Sequence, residues 1–151
     1  MPDRLTSNYV DSVCAASDGS MLFGTDKAGV CRLKDGKWTT IDTSNGLPGN
    51  SIHSIVEAPN PAGGSVLWIG TDRGLARMDG DHVQVYDASS GLPSSYVTKL
   101  ALVTGNDGSD VLWVGTFDGV ARLANGVWTS YGESSGLPHG FVLSVYAGPP
   151  G

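Results

Sequence analysis

The chain is short of positive charge. Its 151 residues include 9 Lys and Arg against 15 Asp and Glu, a formal net charge of −6. The cations stand singly. A phosphate-binding surface needs clustered Lys and Arg, so nucleic acid and anionic membrane are excluded as expected partners. No run of about 18 or more apolar residues occurs, so no helix is expected to enter a bilayer. The N-terminal stretch MPDRLTSNYV has no apolar segment of signal-peptide type, and no signal peptide is expected in this chain. There are only two cysteines, Cys14 and Cys31. They lack the CxxC spacing and nearby His of a metal site, so no metal is expected and both read as small buried thiols. Only three histidines occur, His53, His82 and His139; no Ser-His-Asp order and no GxSxG elbow accompanies them.

Glycine, in contrast, is abundant, at 22 residues, with 40% hydrophobic and only 16% charged residues. The glycines follow no collagen period, and the composition suits a chain of short strands and tight turns. Three markers recur in one order and one phase. Gly-Leu-Pro stands at 46–48, 91–93 and 136–138. LFGT at 22–25, LWIGT at 67–71 and LWVGT at 112–116 form the second marker. GVCR at 29–32, GLAR at 74–77 and GVAR at 119–122 form the third. The period is 45 to 46 residues, and its variable part is a polar stretch (SDGS, PNPAGGS, TGNDGSD) of surface-loop character.

Each unit reads as four strands. In the second they are 51–58, 66–71, 74–79 and 82–87. The first is a mixed run, the next nearly all apolar and the last two alternating, with DRG and DGD supplying turns. Such short connections force antiparallel neighbours, hence a meander. A four-stranded meander repeated in tandem at this period indicates a β-propeller. The expected fold is therefore all-β. Blades span about 4–45, 46–90 and 91–138, and 139–146 reads as the first strand of a fourth. Three blades leave two apolar flanks, so the partial propeller is expected to be completed by the other blades of a longer chain or by a second copy. A homodimer with twofold symmetry would have six blades.

Trp68 and Trp113 share a position with Leu22; Trp38, Val83 and Trp128 share another; Ile41, Tyr86 and Tyr131 a third. These are read as wedge-filling residues between blades rather than a stacking cage. Arg32, Arg77 and Arg122 recur on the third strand and are expected to bond a loop carbonyl or an acid of the adjoining blade. In a propeller meander the first strand runs along the central channel, so the Gly-Leu-Pro segments and the turns after Gly-Thr share one rim. That rim gathers Asn8, Asn50, Ser95 and His139 with Asp26, Asp72, Arg73, Asp118 and Phe117, and His53 faces the channel from its strand. Hydroxyls, amides and carboxylates beside an exposed ring suit a small polar ligand such as an oligosaccharide; Asp and Asn are also ordinary turn residues.

The Gly-Leu-Pro turn leading into an apolar strand, then LWIGT, then GLAR-x-D-G, resembles the two-component regulator propeller repeat over nearly the whole chain. The first unit departs from the pattern, with Leu5-Thr6 for Leu-Pro and Leu22-Phe23 for Trp-Ile. The resemblance implies a β-propeller, the periplasmic or extracellular sensory part of a hybrid two-component regulator, and a binding role in signal transduction without catalysis or cofactor. A protein-interaction scaffold is the alternative. A lyase or hydrolase built from His53, His139 and Asp72 is the third reading.

Overall fold

The computed structural model describes residues 9–104 and 109–132. Among the described residues, twelve strands form three separate four-stranded antiparallel sheets, each a simple meander in chain order. The first sheet comprises β1 (Val10–Ala15), β2 (Met21–Thr25), β3 (Val30–Lys34) and β4 (Lys37–Ile41). The second comprises β5 (Ile52–Pro59), β6 (Ser65–Thr71), β7 (Gly74–Asp79) and β8 (His82–Tyr86). The third comprises β9 (Val97–Thr104), β10 (Asp110–Thr116), β11 (Gly119–Ala124) and β12 (Val127–Tyr131). These bounds lie within a residue of the strands read for the second unit. The strand expected over 139–146 falls outside the described residues.

The sheets meet face to face. β1 packs on β5 and β5 on β9, so the first strand of each sheet lies innermost. Two apolar clusters fill the wedges between sheets. Leu22, Val30, Leu47, Ile52, Ile69 and Met78 close the first wedge; Trp68, Leu75, Leu92, Val97, Leu112 and Val114 close the second. Each fully buried aliphatic side chain here contributes about 1.5–3 kcal/mol of transfer free energy. The chain is thus an all-β run of propeller blades. No described helix is long and apolar enough to cross a membrane.

The repeated glycine of the second strand sets the blade spacing. A Cβ at Gly70 would stand 2.6 Å from Cγ1 of Val97 on the next blade, and one at Gly24 would stand 2.6 Å from Cγ2 of Ile52. Only a bare α-carbon admits a β-branched residue this close. One further tie crosses the second wedge: the buried Ser54 hydroxyl accepts a 3.1 Å bond from the Leu100 N–H.

Two of the three repeated arginines depart from expectation. Arg32 bonds Asp18 at 2.6 Å, and Asp18 lies in the β1–β2 turn of its own blade, not in a neighbour. The guanidinium of Arg122 lies over the Trp113 ring at 5.9 Å. The cause is register: each arginine stands directly across from the second-strand residue Leu22, Trp68 or Trp113, so Arg32 and Arg122 reach partners within their own sheets. Cys31 is buried as expected, whereas Cys14 is only partly so; neither is in a disulfide.

Candidate functional site

Two local devices build the rim. At the first, a buried threonine closes the turn after the second strand. The hydroxyls of Thr25, Thr71 and Thr116 donate to the carbonyls of Gly29, Gly74 and Gly119 at 2.7, 2.8 and 2.8 Å. Each oxygen also accepts a 3.1 Å bond from a turn amide, that of Ala28, Arg73 or Asp118. The second device is the Gly-Leu-Pro connection. A 3-10 turn over Thr43–Asn45 and another over Ala88–Ser90 are capped by the carboxylates of Asp42 and Asp87, and end at Gly46 and Gly91 with φ 106° and 115°. Glycine adopts this left-handed conformation freely. Leu47 and Leu92 then plug the wedges, each 4% exposed.

Two of the candidate residues serve this scaffold. Asn50 Oδ1 accepts the Thr43 N–H at 2.9 Å, and at the equivalent place Ser95 Oγ accepts the Ala88 N–H at 3.0 Å. The Gly29 N–H donates to the Asn50 carbonyl at 2.8 Å, tying the Gly-Leu-Pro segment to the preceding turn. The two loop types therefore do share one rim. Between them lies a recess of about 480 Å³ that brings together Asn50, Asp72 and Arg73, with Lys27 and Ser51.

The innermost strands begin with a β-bulge. In β1 the pairing slips between Val10 and Ser12, and in β5 between Ile52 and Ser54. In β9 it passes from Val97 to Lys99. The bulged residues are Asp11, His53 and Thr98. A bulge re-aims a side chain out of the ladder. His53 stacks on Tyr96 with ring centroids 5.0 Å apart, and Tyr96 stacks on Phe117 at 3.7 Å and 12°. The result is a ladder of three rings spanning two blades and ending at Phe117, which is 36% exposed.

Carboxylates surround the ladder. Burial, and then the negative charges of Asp72, Asp26 and Asp11, push the Tyr96 phenol above its ordinary pKa. Asp26 accepts a bond from the Ser51 hydroxyl at 3.3 Å. Three buried side-chain atoms have no hydrogen-bond partner among the described residues: Ser12 Oγ, His53 Nε2 and Asp72 Oδ1. Each belongs to an innermost strand or to a rim turn of the first two blades.

The structure therefore joins His53 and Phe117 through Tyr96, gathers Asp26 and Asp72 around them, and leaves Arg73 and Asp118 exposed on their turns. Asn8 and His139 lie outside the described residues. Sequence reasoning missed Tyr96 and Asp11. Tyr96 immediately precedes the first strand, one residue beyond the variable pair after Leu-Pro. Asp11 and Thr98 are the counterparts of His53, which the repeat register would have paired with it.

The comparisons with known proteins can be set beside this geometry. No family model matches the sequence, and no curated protein does. Solved structures do. The chain is similar to the extracellular domain of a protein described as a hybrid two-component system of B. thetaiotaomicron, with TM-score 0.73 and 23% identity. That match covers 91% of this chain and 19% of the other. A second such domain from the same organism matches with TM-score 0.60 and 19% identity, over 83% of this chain and 18% of that one. Virginiamycin B lyase of Staphylococcus aureus matches with TM-score 0.56 and 19% identity, over 85% of this chain and 43% of the lyase. The chain thus has the fold of these domains and spans about a fifth of the length of the two-component ones. The resemblance read from the repeat markers and the similarity of structure point the same way.

Proposed function

We propose that this chain is a non-catalytic sensory segment of a β-propeller in a signal-transduction protein, exposed to the periplasm or the cell exterior, with its ligand site on the rim described above. The observation that supports this reading is the His53–Tyr96–Phe117 ladder beside Asp26 and Asp72. Repeated residues such as Thr71 and Leu92 hold the rim in shape. His53 and Phe117 do not repeat, and Tyr96 recurs only as Tyr9, so the ladder positions are released from that duty. Flat rings offer apolar faces, while the carboxylates and the Asn50–Arg73 recess offer hydrogen bonds in both directions. That combination suits a hydroxyl-rich polar molecule such as an oligosaccharide.

The test is a thermal-shift screen of the chain against neutral and charged oligosaccharides, repeated with Phe117→Ala. A ligand at about a hundred times its Kd stabilises by roughly 2.7 kcal/mol, and the Phe117→Ala chain should lose most of that shift. A shift equal in both chains moves the site away from the ladder. No shift with any member of the panel favours the scaffold reading. The lyase likeness is one of fold, and the chain's own residues add little to it: His53 lies among rings, and His82 is on the outermost strand of its blade.

The open flanks support a second part of the proposal. Tyr9 and Val13 on the first blade are 72% and 57% exposed, whereas Ile55 and Leu100, the counterparts of Val13 in the next two blades, are 6% and 3% exposed. Such faces need covering. A second copy would supply it as a six-bladed ring, and the further blades of a longer parent chain would do the same. Light scattering at micromolar concentration distinguishes a dimer from a monomer.

A further inference from the structure

The two wedges are built from the same positions and can be compared residue by residue. In the first, the contacts are Leu22, Ile41 and Val83; in the second, the equivalent positions hold Trp68, Tyr86 and Trp128. Aliphatic residues suffice to close the first wedge, so closure alone does not require the rings. The rings are close and inclined: Trp68 to Tyr86 is 5.8 Å at 35°, and Tyr86 to Trp128 is 5.4 Å at 58°. Trp68 forms the floor, 6% exposed, while Tyr86 and Trp128 are half-buried on the walls.

Polar groups differ in the same sense. The first wedge is crossed by Glu57, whose carboxylate accepts from the Ser17 N–H at 3.0 Å, the Ser17 hydroxyl at 2.9 Å and the Ser65 hydroxyl at 2.9 Å. Its arginine, Arg32, is held by Asp18. In the second wedge Leu102 occupies the place of Glu57, and Arg77 has no hydrogen bond or ion pair among the described residues. The β5–β6 turn, of the same length, carries no acidic counterpart of Asp18; its Asn60 bonds Asp79 instead, at 3.0 Å. The first wedge leaves a cavity of about 500 Å³, the second one of about 890 Å³. Asp110, also on the larger cavity, is engaged by the Thr104 hydroxyl at 2.7 Å.

The larger cavity is an open groove. It runs from Asn60 in the β5–β6 turn to Ser90 in the 3-10 turn, and the half-exposed Val85 and Gln84 line it between. We infer that the groove between the second and third blades docks an extended, proline-containing acidic peptide of a partner protein, with proline rings against the groove-facing surfaces of the touching Tyr86 and Trp128 rings and a carboxylate on Arg77. This site is separate from the rim. Aromatic-lined grooves take polyproline II segments because that conformation is preformed and leaves its carbonyls free. Gln84, across the strand pair from Arg77, presents an amide donor to such carbonyls. An extended segment of about six residues spans about 19 Å at roughly 3.1 Å each, the length of a typical strand. The Arg77 guanidinium, which has no partner among the described residues, selects negative charge.

The experiment is a titration of the whole chain with a fluorescein-labelled peptide of three Glu-Pro-Pro repeats, followed by polarisation and by tryptophan fluorescence. Saturable binding below about 1 mM is expected. Arg77→Gln should weaken it about tenfold, in keeping with the loss of one charge-assisted hydrogen bond, and Arg77→Glu should abolish it. Arg77 is half-buried and has no partner among the described residues, so both variants should keep the wild-type melting temperature. A Gln-Pro-Pro peptide should bind no better to the wild type than the acidic peptide binds to Arg77→Gln. Absence of binding by the correctly folded wild type overturns the proposal. So does binding that Arg77→Glu leaves unchanged, or quenching of tryptophan by an oligosaccharide but not by the peptide. The rim reading is tested separately, since Phe117→Ala should leave peptide binding intact.

Discussion

Replacing Gly70 by alanine should destabilise the chain although it adds a single methyl group and no backbone strain. The new Cβ would stand 2.6 Å from Val97 Cγ1, 3.3 Å from Val97 Cβ and 3.7 Å from Leu100 Cγ. Carbon atoms rest at about 3.5–4.0 Å, so one contact is impossible and one is tight. Val97 cannot retreat easily: it is 0% exposed and paired with Thr116 in its own sheet. Overpacking of this kind costs about 1–3 kcal/mol. Loss of glycine's freedom in the unfolded chain returns about 0.4–1 kcal/mol, which is too little to reverse the sign. At about 2–4 °C per kcal/mol for a chain of this size, the melting temperature should fall by a few degrees to about ten. Calorimetry on Gly70→Ala, Val97→Ala and the double variant isolates the cause. Val97→Ala removes the clashing Cγ1, so the double variant should be less destabilised than the two singles together by about 0.5–3 kcal/mol. Additive effects, or a stabilised Gly70→Ala chain, would refute the claim that the bare α-carbon sets the blade spacing.

Ser54→Ala leaves the Leu100 N–H buried without its partner, so it should lower the urea midpoint at unchanged m-value, by about 1–3 kcal/mol in stability. The Asp18 carboxyl is held far below the usual carboxylate range, first by the Ser20 hydroxyl and amide and then by Arg32. Its folded value is depressed, so its contribution is present above about pH 4 and is lost as pH falls further. Asp18→Asn should therefore flatten melting temperature against pH on the acid side. Tyr96 is shifted upward by burial and by Asp72, Asp26 and Asp11. In an ultraviolet titration one tyrosine should ionise later than the others, and stability tied to it should be lost as pH rises beyond about 10; in Phe117→Ala the ring is better solvated and its ionisation should move back.

What the sequence makes legible follows from what repetition can carry. Gly70, Thr71, Leu92 and their counterparts recur because every blade must solve the same problems: close approach, a closed turn and a plugged wedge. Three copies in phase therefore give the strands nearly to the residue. The 3-10 turns over Thr43–Asn45 and Ala88–Ser90 escape a strand-period reading because three residues are too few to show a period. Arg32 misled for a different reason. Its position is legible, but its partner depends on the β2–β3 register, which places it against Leu22 and within reach of Asp18.

The site is harder to read because it is built where the repeat fails. Asp11, His53 and Thr98 occupy one bulged position with three different chemistries, and only His53 finds a ring to stack on. Tyr96 attracts no notice in sequence, since Tyr9 and Ser51 at the same place make no pattern. It becomes prominent only when the bulge turns His53 toward it and the Thr116 turn carries Phe117 onto its other face. The same logic governs the wedges, where Leu22, Ile41 and Val83 become Trp68, Tyr86 and Trp128 without any demand from the fold. In a chain of repeated blades, a residue shared by all copies answers to architecture. A residue that breaks the pattern while its neighbours keep it is freed from that requirement, and two such departures meeting in space, as the ladder and the groove do, are where binding should be sought.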